Sequence, residues 1–159
     1  MARPVTLPPA PRNRQVKTIG RHLIAEFYRC DLEILDDVDR IRQSMLAAAE
    51  QIGATVLGDS FHKFTPQGVS GTVVISESHL SVHTWPEYGY VAVDIYTCGG
   101  LDPRPGFEQL REQFGAEAWR LQEILRGLPD DLDNNEMPLP RDISIITRMV
   151  PQCELVATT

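Results

Sequence analysis

Twelve residues, Ser76 to Glu87 (Ser-Glu-Ser-His-Leu-Ser-Val-His-Thr-Trp-Pro-Glu), hold three serines, two histidines and two glutamates. They follow directly on the apolar, β-branched segment Val73-Val-Ile75. A connection that only had to reverse the chain would use Gly, Asn or Asp, whose backbones reach turn conformations at little cost. This one carries nucleophiles, acid–base groups and an aromatic ring, the components of a reactive site. A serine hydroxyl can attack the carbonyl carbon of its own preceding residue and turn that amide into an ester. The reaction needs a strained turn, a base near the hydroxyl and a donor for the oxyanion. The Glu77-Ser78 bond is the candidate for this chemistry, with His79, His83, Ser70 and Ser81 as the groups that could assist if the chain folds them together.

The elements around this run have to position it. Gly20 to Tyr28 is apolar and aromatic enough for a strand. Asp31 is placed to cap a helix in which Ile34, Val38, Ile41, Met45, Ala49 and Ile52 form one apolar stripe, ended by Gly53. Strands are expected over 54–64, 71–77, 79–84 and 90–97, with Pro66-Gln-Gly68 and Pro86-Glu-Tyr-Gly89 as turns. A helix is expected over 102–114, with Pro103 or Pro105 near its first turn. Residues 116–126 suit a helix by composition and a strand by the alternation of Trp119, Leu121 and Glu123 with Arg120 and Gln122. Residues 128–142 read as an acidic, Pro-rich loop and 143–150 as a short strand. Together these predict an α+β fold, a two-layer α/β sandwich with an antiparallel sheet and helices on one face. The expected organisation is a disordered arm over 1–16, a domain over 17–127 and a C-terminal extension over 128–159.

Composition narrows the function classes. A hydrophobic content of 42% and a charged content of 23% are ordinary for a soluble globular protein. No apolar run approaches the ~20 residues of a membrane span, which predicts a cytoplasmic protein. A net charge of −7 argues against nucleic-acid binding. Cys30, Cys98 and Cys153 are odd in number and form no CxxC pair, so they indicate neither a metal site nor a disulfide framework. Lys63, one of two lysines against thirteen arginines, is read as exposed or ion-paired and is given no role.

Three blocks carry a family resemblance: Phe61-His-Lys-Phe-Thr-Pro-Gln-Gly-Val-Ser-Gly71, Ser76-Glu-Ser-His-Leu-Ser-Val-His-Thr-Trp-Pro-Glu-Tyr-Gly89 and Ala92-Val-Asp-Ile-Tyr-Thr-Cys-Gly99. Between about Gly20 and Gly99 the chain resembles the prokaryotic pyruvoyl-dependent S-adenosylmethionine decarboxylase proenzymes. The resemblance implies self-cleavage between Glu77 and Ser78, with Ser70 and His83 assisting. It implies that Ser78 becomes a pyruvoyl cofactor at the new amino terminus, and that residues 1–77 stay bound to 78–159. That ketone condenses with the substrate amine and accepts the electrons released with CO₂. Cys98 matches the family's proton donor, a task for which a thiol is suited because it titrates near working pH. The family pattern is also dimeric.

A sulfonium cation and an adenine both favour aromatic faces, which makes Phe64 and Trp85 the candidates for substrate contact; Glu87 is the candidate for the ribose hydroxyls. The expected reaction is decarboxylation of S-adenosylmethionine for polyamine synthesis. Arginine or ornithine as substrate is the alternative, since the resemblance extends to relatives acting on those amines. A non-catalytic regulatory homologue is the reading from another class, against which stands the presence of Ser78, His83 and Cys98 together.

Overall fold

The computed structural model describes residues 18–127 and 147–149. The arm expected over 1–16, the loop over 128–142 and most of the strand over 143–150 lie outside the described residues. Seven strands form one antiparallel sheet: β1 (Gly20–Tyr28), β2 (Val56–Lys63), β3 (Val69–Ile75), β4 (Ser78–Trp85), β5 (Tyr90–Cys98), β6 (Ala118–Arg126) and β7 (Thr147–Met149), in the order β2-β3-β4-β5-β1-β6-β7. Among the described residues three α-helices accompany them: α1 (Leu32–Leu35), α2 (Val38–Gln51) and α3 (Arg104–Gln113). None of the described helices is long and apolar enough to cross a membrane.

Alternation along the strands decides which face is covered. Leu23, Ala25 and Phe27 of β1, Val69 and Val73 of β3, Leu80 and Val82 of β4, and Val91, Val93 and Ile95 of β5 are all buried. They meet Ile41, Met45, Ala48 and Ala49 of α2 and Phe107 and Leu110 of α3 in one core. Phe27 stacks on Phe107 at 5.3 Å and takes the edge of Phe114 at 6.1 Å, which fixes α3 over β1. A buried aromatic or branched aliphatic side chain contributes about 1.5–3 kcal/mol, so this interdigitation is the main hold on both helices. The result is the expected two-layer α+β sandwich.

Two expectations need correction, and one open choice is resolved. The single helix from Asp31 to Ile52 is two helices, because Asp37 caps a fresh start by accepting from the N–H groups of Asp39 and Arg40. Asp36, left in the break, accepts from the Gly68 N–H at 2.9 Å and pairs with Lys63. The strand expected over 71–77 runs instead from Val69 to Ile75, and Ser76 and Glu77 form the turn that follows. The ambiguous segment 116–126 is a strand, whose inward Glu123 accepts from Arg21 and Arg104.

Candidate active site

The bond singled out in the sequence lies in a two-residue hairpin turn. Ile75 pairs with Ser78 across β3 and β4, leaving Ser76 and Glu77 to reverse the chain. Ser78 then opens β4 at φ 130°, a region L-residues rarely occupy and hold at a cost of about 1–3 kcal/mol. The strain sits at the attacking residue itself. The Glu77 carbonyl oxygen accepts a hydrogen bond of 2.9 Å from the Cys98 N–H, so the carbonyl that would be attacked is already polarised by a backbone donor. The Glu77 side chain is anchored as well, with Oε2 accepting from the Thr55 N–H at 3.1 Å.

Cys98 is the last residue of β5, opposite Gly20 of β1, and its thiol is free and half-buried. Thr97 pairs with Ser78 on one side and with Arg21 on the other. Behind this end of the sheet, Arg21 and Arg104 converge on Glu123, and Arg21 also reaches Asp102 at 3.2 Å. This ties down the loop that follows Cys98. Burial pushes the Glu123 carboxyl up, yet the two guanidiniums together hold it below the ordinary carboxylate range.

The other candidate residues gather elsewhere. Ser70 and His83 face each other across β3 and β4, with Ser70 Oγ and His83 Nδ1 hydrogen-bonded at 2.7 Å. With the ring proton on Nε2, the serine hydroxyl donates to Nδ1. His83 lies 6.3 Å from Trp85, which stacks on Tyr90 at 5.2 Å. Phe64, 47% exposed, meets the edge of His62 at 4.7 Å. Glu87 accepts from Gln67 Nε2 at 3.0 Å.

The chain beneath this second group is firmly tied. Gly68 adopts φ 99°, and a Cβ there would meet the Thr84 carbonyl at 2.9 Å, so the turn approaches β4 as only glycine allows. The buried Thr84 hydroxyl accepts from the Val69 N–H and donates to the Leu35 carbonyl, both at 2.8 Å. Lys63, given no role in the sequence reading, bonds Asp36 through both its side chain and its carbonyl. Thr84→Val should leave a buried N–H and C=O unpaired and lower unfolding stability by about 2–3 kcal/mol, read by urea denaturation. A change under 0.5 kcal/mol would show that the hydroxyl carries no such burden.

The two groups lie at opposite ends of the sheet. Ser78 and His83 are five residues apart on β4, about 17 Å at ~3.3 Å per residue, and Trp85 is about 23 Å away. Sequence proximity brings Ser78, His79 and Glu77 together but not Ser78 with His83, Ser70, Phe64, Trp85 or Glu87. Ser81, offered as an assisting group, donates instead to Asp94 Oδ2 at 3.0 Å. His79 packs edge-on against Tyr96 at 5.8 Å.

These side chains share the sheet face that no described helix covers. His22, Tyr28, His79, Ser81, His83, Trp85, Tyr90, Asp94 and Tyr96 occupy its alternating positions. The bond from His22 Nε2, at 3.1 Å, holds the Asp94 carboxyl below its ordinary range; burial opposes it and Ser81 assists. The burial that raises the Cys30 thiol to about 12 leaves that cysteine an unreactive core residue. Cys153 lies outside the described residues.

The model of the family described as S-adenosylmethionine decarboxylase matches residues 21–127. The chain belongs to the S-adenosylmethionine decarboxylase family. It is 56% identical over 118 residues to the S-adenosylmethionine decarboxylase proenzyme of Thermosipho africanus, covering 74% of this chain and 91% of that one. To the proenzyme of the same name from Carboxydothermus hydrogenoformans it is 49% identical over 114 residues, covering 71% and 90%. Among solved structures it resembles the adenosylmethionine decarboxylase of Aquifex aeolicus, with a TM-score of 0.66, 33% identity, and coverage of 70% of this chain and 92% of that one. The matched region of this family member contains every candidate residue of both groups.

Several participants were not legible in the sequence. The Cys98 and Thr55 donors are backbone groups, so no residue type announces them. Gln67 and Asp36 lie in or beside turns, where polar residues are commonplace.

Proposed function

We propose that this chain is made as a proenzyme that cuts itself between Glu77 and Ser78, and that the product decarboxylates S-adenosylmethionine. The observation that carries the reading is the Glu77 carbonyl held 2.9 Å from the Cys98 N–H beside a serine at φ 130°. Ser78 Oγ adds to the Glu77 carbonyl carbon and gives its proton to a base. The Cys98 N–H meets the oxyanion, the C–N bond breaks, and the protonated amine leaves an ester. Loss of the Ser78 α-proton, with departure of the Glu77 carboxylate, gives dehydroalanine. Water then displaces the nitrogen as ammonia and leaves a pyruvoyl ketone at residue 78.

The residues present fit such a group. The turn already favours its formation, and a free thiol ends the adjoining strand. The ketone supplies an electron sink for an amine substrate. Cys98 would deliver the proton to the carbon that has lost CO₂. Phe64 and Trp85 offer ring faces to adenine and sulfonium, worth about 0.5–2 kcal/mol for a cation–π contact. Glu87, oriented by Gln67, accepts from ribose hydroxyls and adds negative field toward the sulfonium.

The two cut pieces would remain interleaved. β1 and β3, from residues 1–77, pair with β5, β6 and β4 of residues 78–159. The site itself calls for a second copy. A two-fold axis lying between two uncovered sheet faces, across the strands near the Ser81–Asp94 row, reverses one sheet end for end. It thereby sets Ser70, His83, Phe64, Trp85 and Glu87 of one copy opposite Ser78 and Cys98 of the other. Stacked sheets lie ~10 Å apart, close enough for side chains from both to meet. Isologous two-fold pairing is also the commonest oligomer geometry. A homodimer of cleaved protomers is therefore part of the proposal.

CO₂ release measured in parallel on S-adenosylmethionine, arginine and ornithine tests the substrate. Release from the first alone is expected, and release only from an amino acid would overturn it. Cys98→Ala should still be cut, while its turnover falls by about 10²-fold or more. Wild-type turnover in that variant would remove Cys98 from the mechanism.

A further inference from the structure

The scissile turn is held by two strands at once, and only one hold is on the reacting carbonyl. On one side the Glu77 carbonyl oxygen accepts from Cys98, at the end of β5. On the other, Glu77 Oε2 accepts from the Thr55 N–H at 3.1 Å, and the Ser76 N–H donates to the Thr55 carbonyl at 2.9 Å. Thr55 immediately precedes β2, whose first residue, Val56, pairs with Ile75. Both ends of the Glu77 residue are thus fixed, its side chain to the lead-in of β2 and its carbonyl to the end of β5.

This matters because a strained backbone persists only where its surroundings over-determine it. A two-residue turn held on one side can relieve φ 130° at Ser78 by swinging the Glu77–Ser78 peptide plane, which carries the carbonyl away from the Cys98 donor. A second anchor on the same residue, directed to the opposite strand, opposes that swing. The side chain has a reach suited to this: a carboxylate two methylenes from the backbone spans the turn to Thr55. Its bond is an acceptor's bond, so an amide oxygen of equal length can replace it.

We propose that the Glu77 carboxylate is a positioning group for self-cleavage, clamping the turn to the Thr55 N–H so that the Glu77 carbonyl stays on the Cys98 donor. It rests on the reading of the Glu77–Ser78 bond as the cleavage site and adds a role for a side chain whose own residue contributes only its carbonyl to the reaction. The carboxylate takes no part in proton transfer.

The test is the rate at which the purified full-length proenzyme splits, followed by denaturing mass spectrometry in wild type, Glu77→Gln, Glu77→Ala and Thr55→Pro. Glu77→Gln keeps an acceptor of the same reach and should cut within about threefold of wild type. Glu77→Ala should slow by tenfold or more, with far-UV circular dichroism unchanged. Thr55→Pro deletes the donor and leaves the carboxylate, and should slow to a similar degree. Adding Glu77→Ala to Thr55→Pro should then cost no further rate, since both remove the same bond. Cutting of Glu77→Ala at the wild-type rate overturns the clamp. So does a Glu77→Gln rate as low as that of Glu77→Ala, which would assign the carboxylate to acid–base chemistry. Failure of the underlying reading looks different: wild type itself stays intact, or Ser78→Ala still splits.

Discussion

Ser78→Ala is expected to remain one intact chain of 17.8 kDa, without detectable decarboxylation, however long it is incubated. The reasoning is atomic. The variant keeps the hairpin, the Cys98 N–H and the Glu77 tether, and removes only the oxygen that would attack. Alanine at φ 130° is no easier to hold than serine, so the turn should be neither relaxed nor rescued. No other hydroxyl stands in for it by adjacency, because Ser76 lies on the far side of Glu77 and Ser81 donates to Asp94. A thermal unfolding midpoint near that of the wild-type proenzyme should accompany the loss. A split at the same bond in this variant would remove Ser78 from the chemistry.

A second large effect is expected from mixing variants. His83→Ala alone should split at least about 10²-fold more slowly than wild type, the scale of a lost general base. Co-expression with Ser78→Ala, which cannot split at all, should restore cutting of the His83→Ala chain to near the wild-type rate in mixed dimers. The rescue follows from the ~17 Å between Ser78 and His83 along β4: one chain cannot join them, and two chains can. In a mixed pair, one site combines Ser78 from the first chain with Ser70 and His83 from the second, while the other site lacks both groups. Distinguishable mass tags on the two chains make the readout direct. If the His83→Ala chain stays slow in the mixture, each chain carries its own complete site and the shared arrangement is wrong.

The sequence carried the fold unevenly, for physical reasons. β1, β4 and β5 were legible because one face of each packs on helices, and burial imposes alternation on residue type, as in Leu80, Val82 and Thr84. The break between α1 and α2 was not, because Ile34, Val38 and Ile41 keep helical spacing across it while Asp36 is drawn away to Gly68 and Lys63. The segment 116–126 stayed ambiguous because its composition suits a helix as well as its alternation suits a strand; the strand's buried Glu123 finds its partners only in space, on Arg21 of β1 and Arg104 of α3. For the site, residue types revealed the kind of chemistry. Strand register alone revealed that Ser70, His83, Phe64, Trp85 and Glu87 lie at the far end from Ser78 and Cys98. In the sequence the aromatic and polar positions of β1, β4 and β5 lie in separate segments. Only in three dimensions do they come together on one continuous face that no described helix covers.

Intact-mass spectrometry of the freshly purified and incubated wild-type protein, under denaturing conditions, tests the central claim most directly. Two chains divided between Glu77 and Ser78 are predicted, the second refractory to amino-terminal sequencing and carrying the mass of a pyruvoyl group in place of serine. A single 17.8 kDa species that persists through incubation would contradict it.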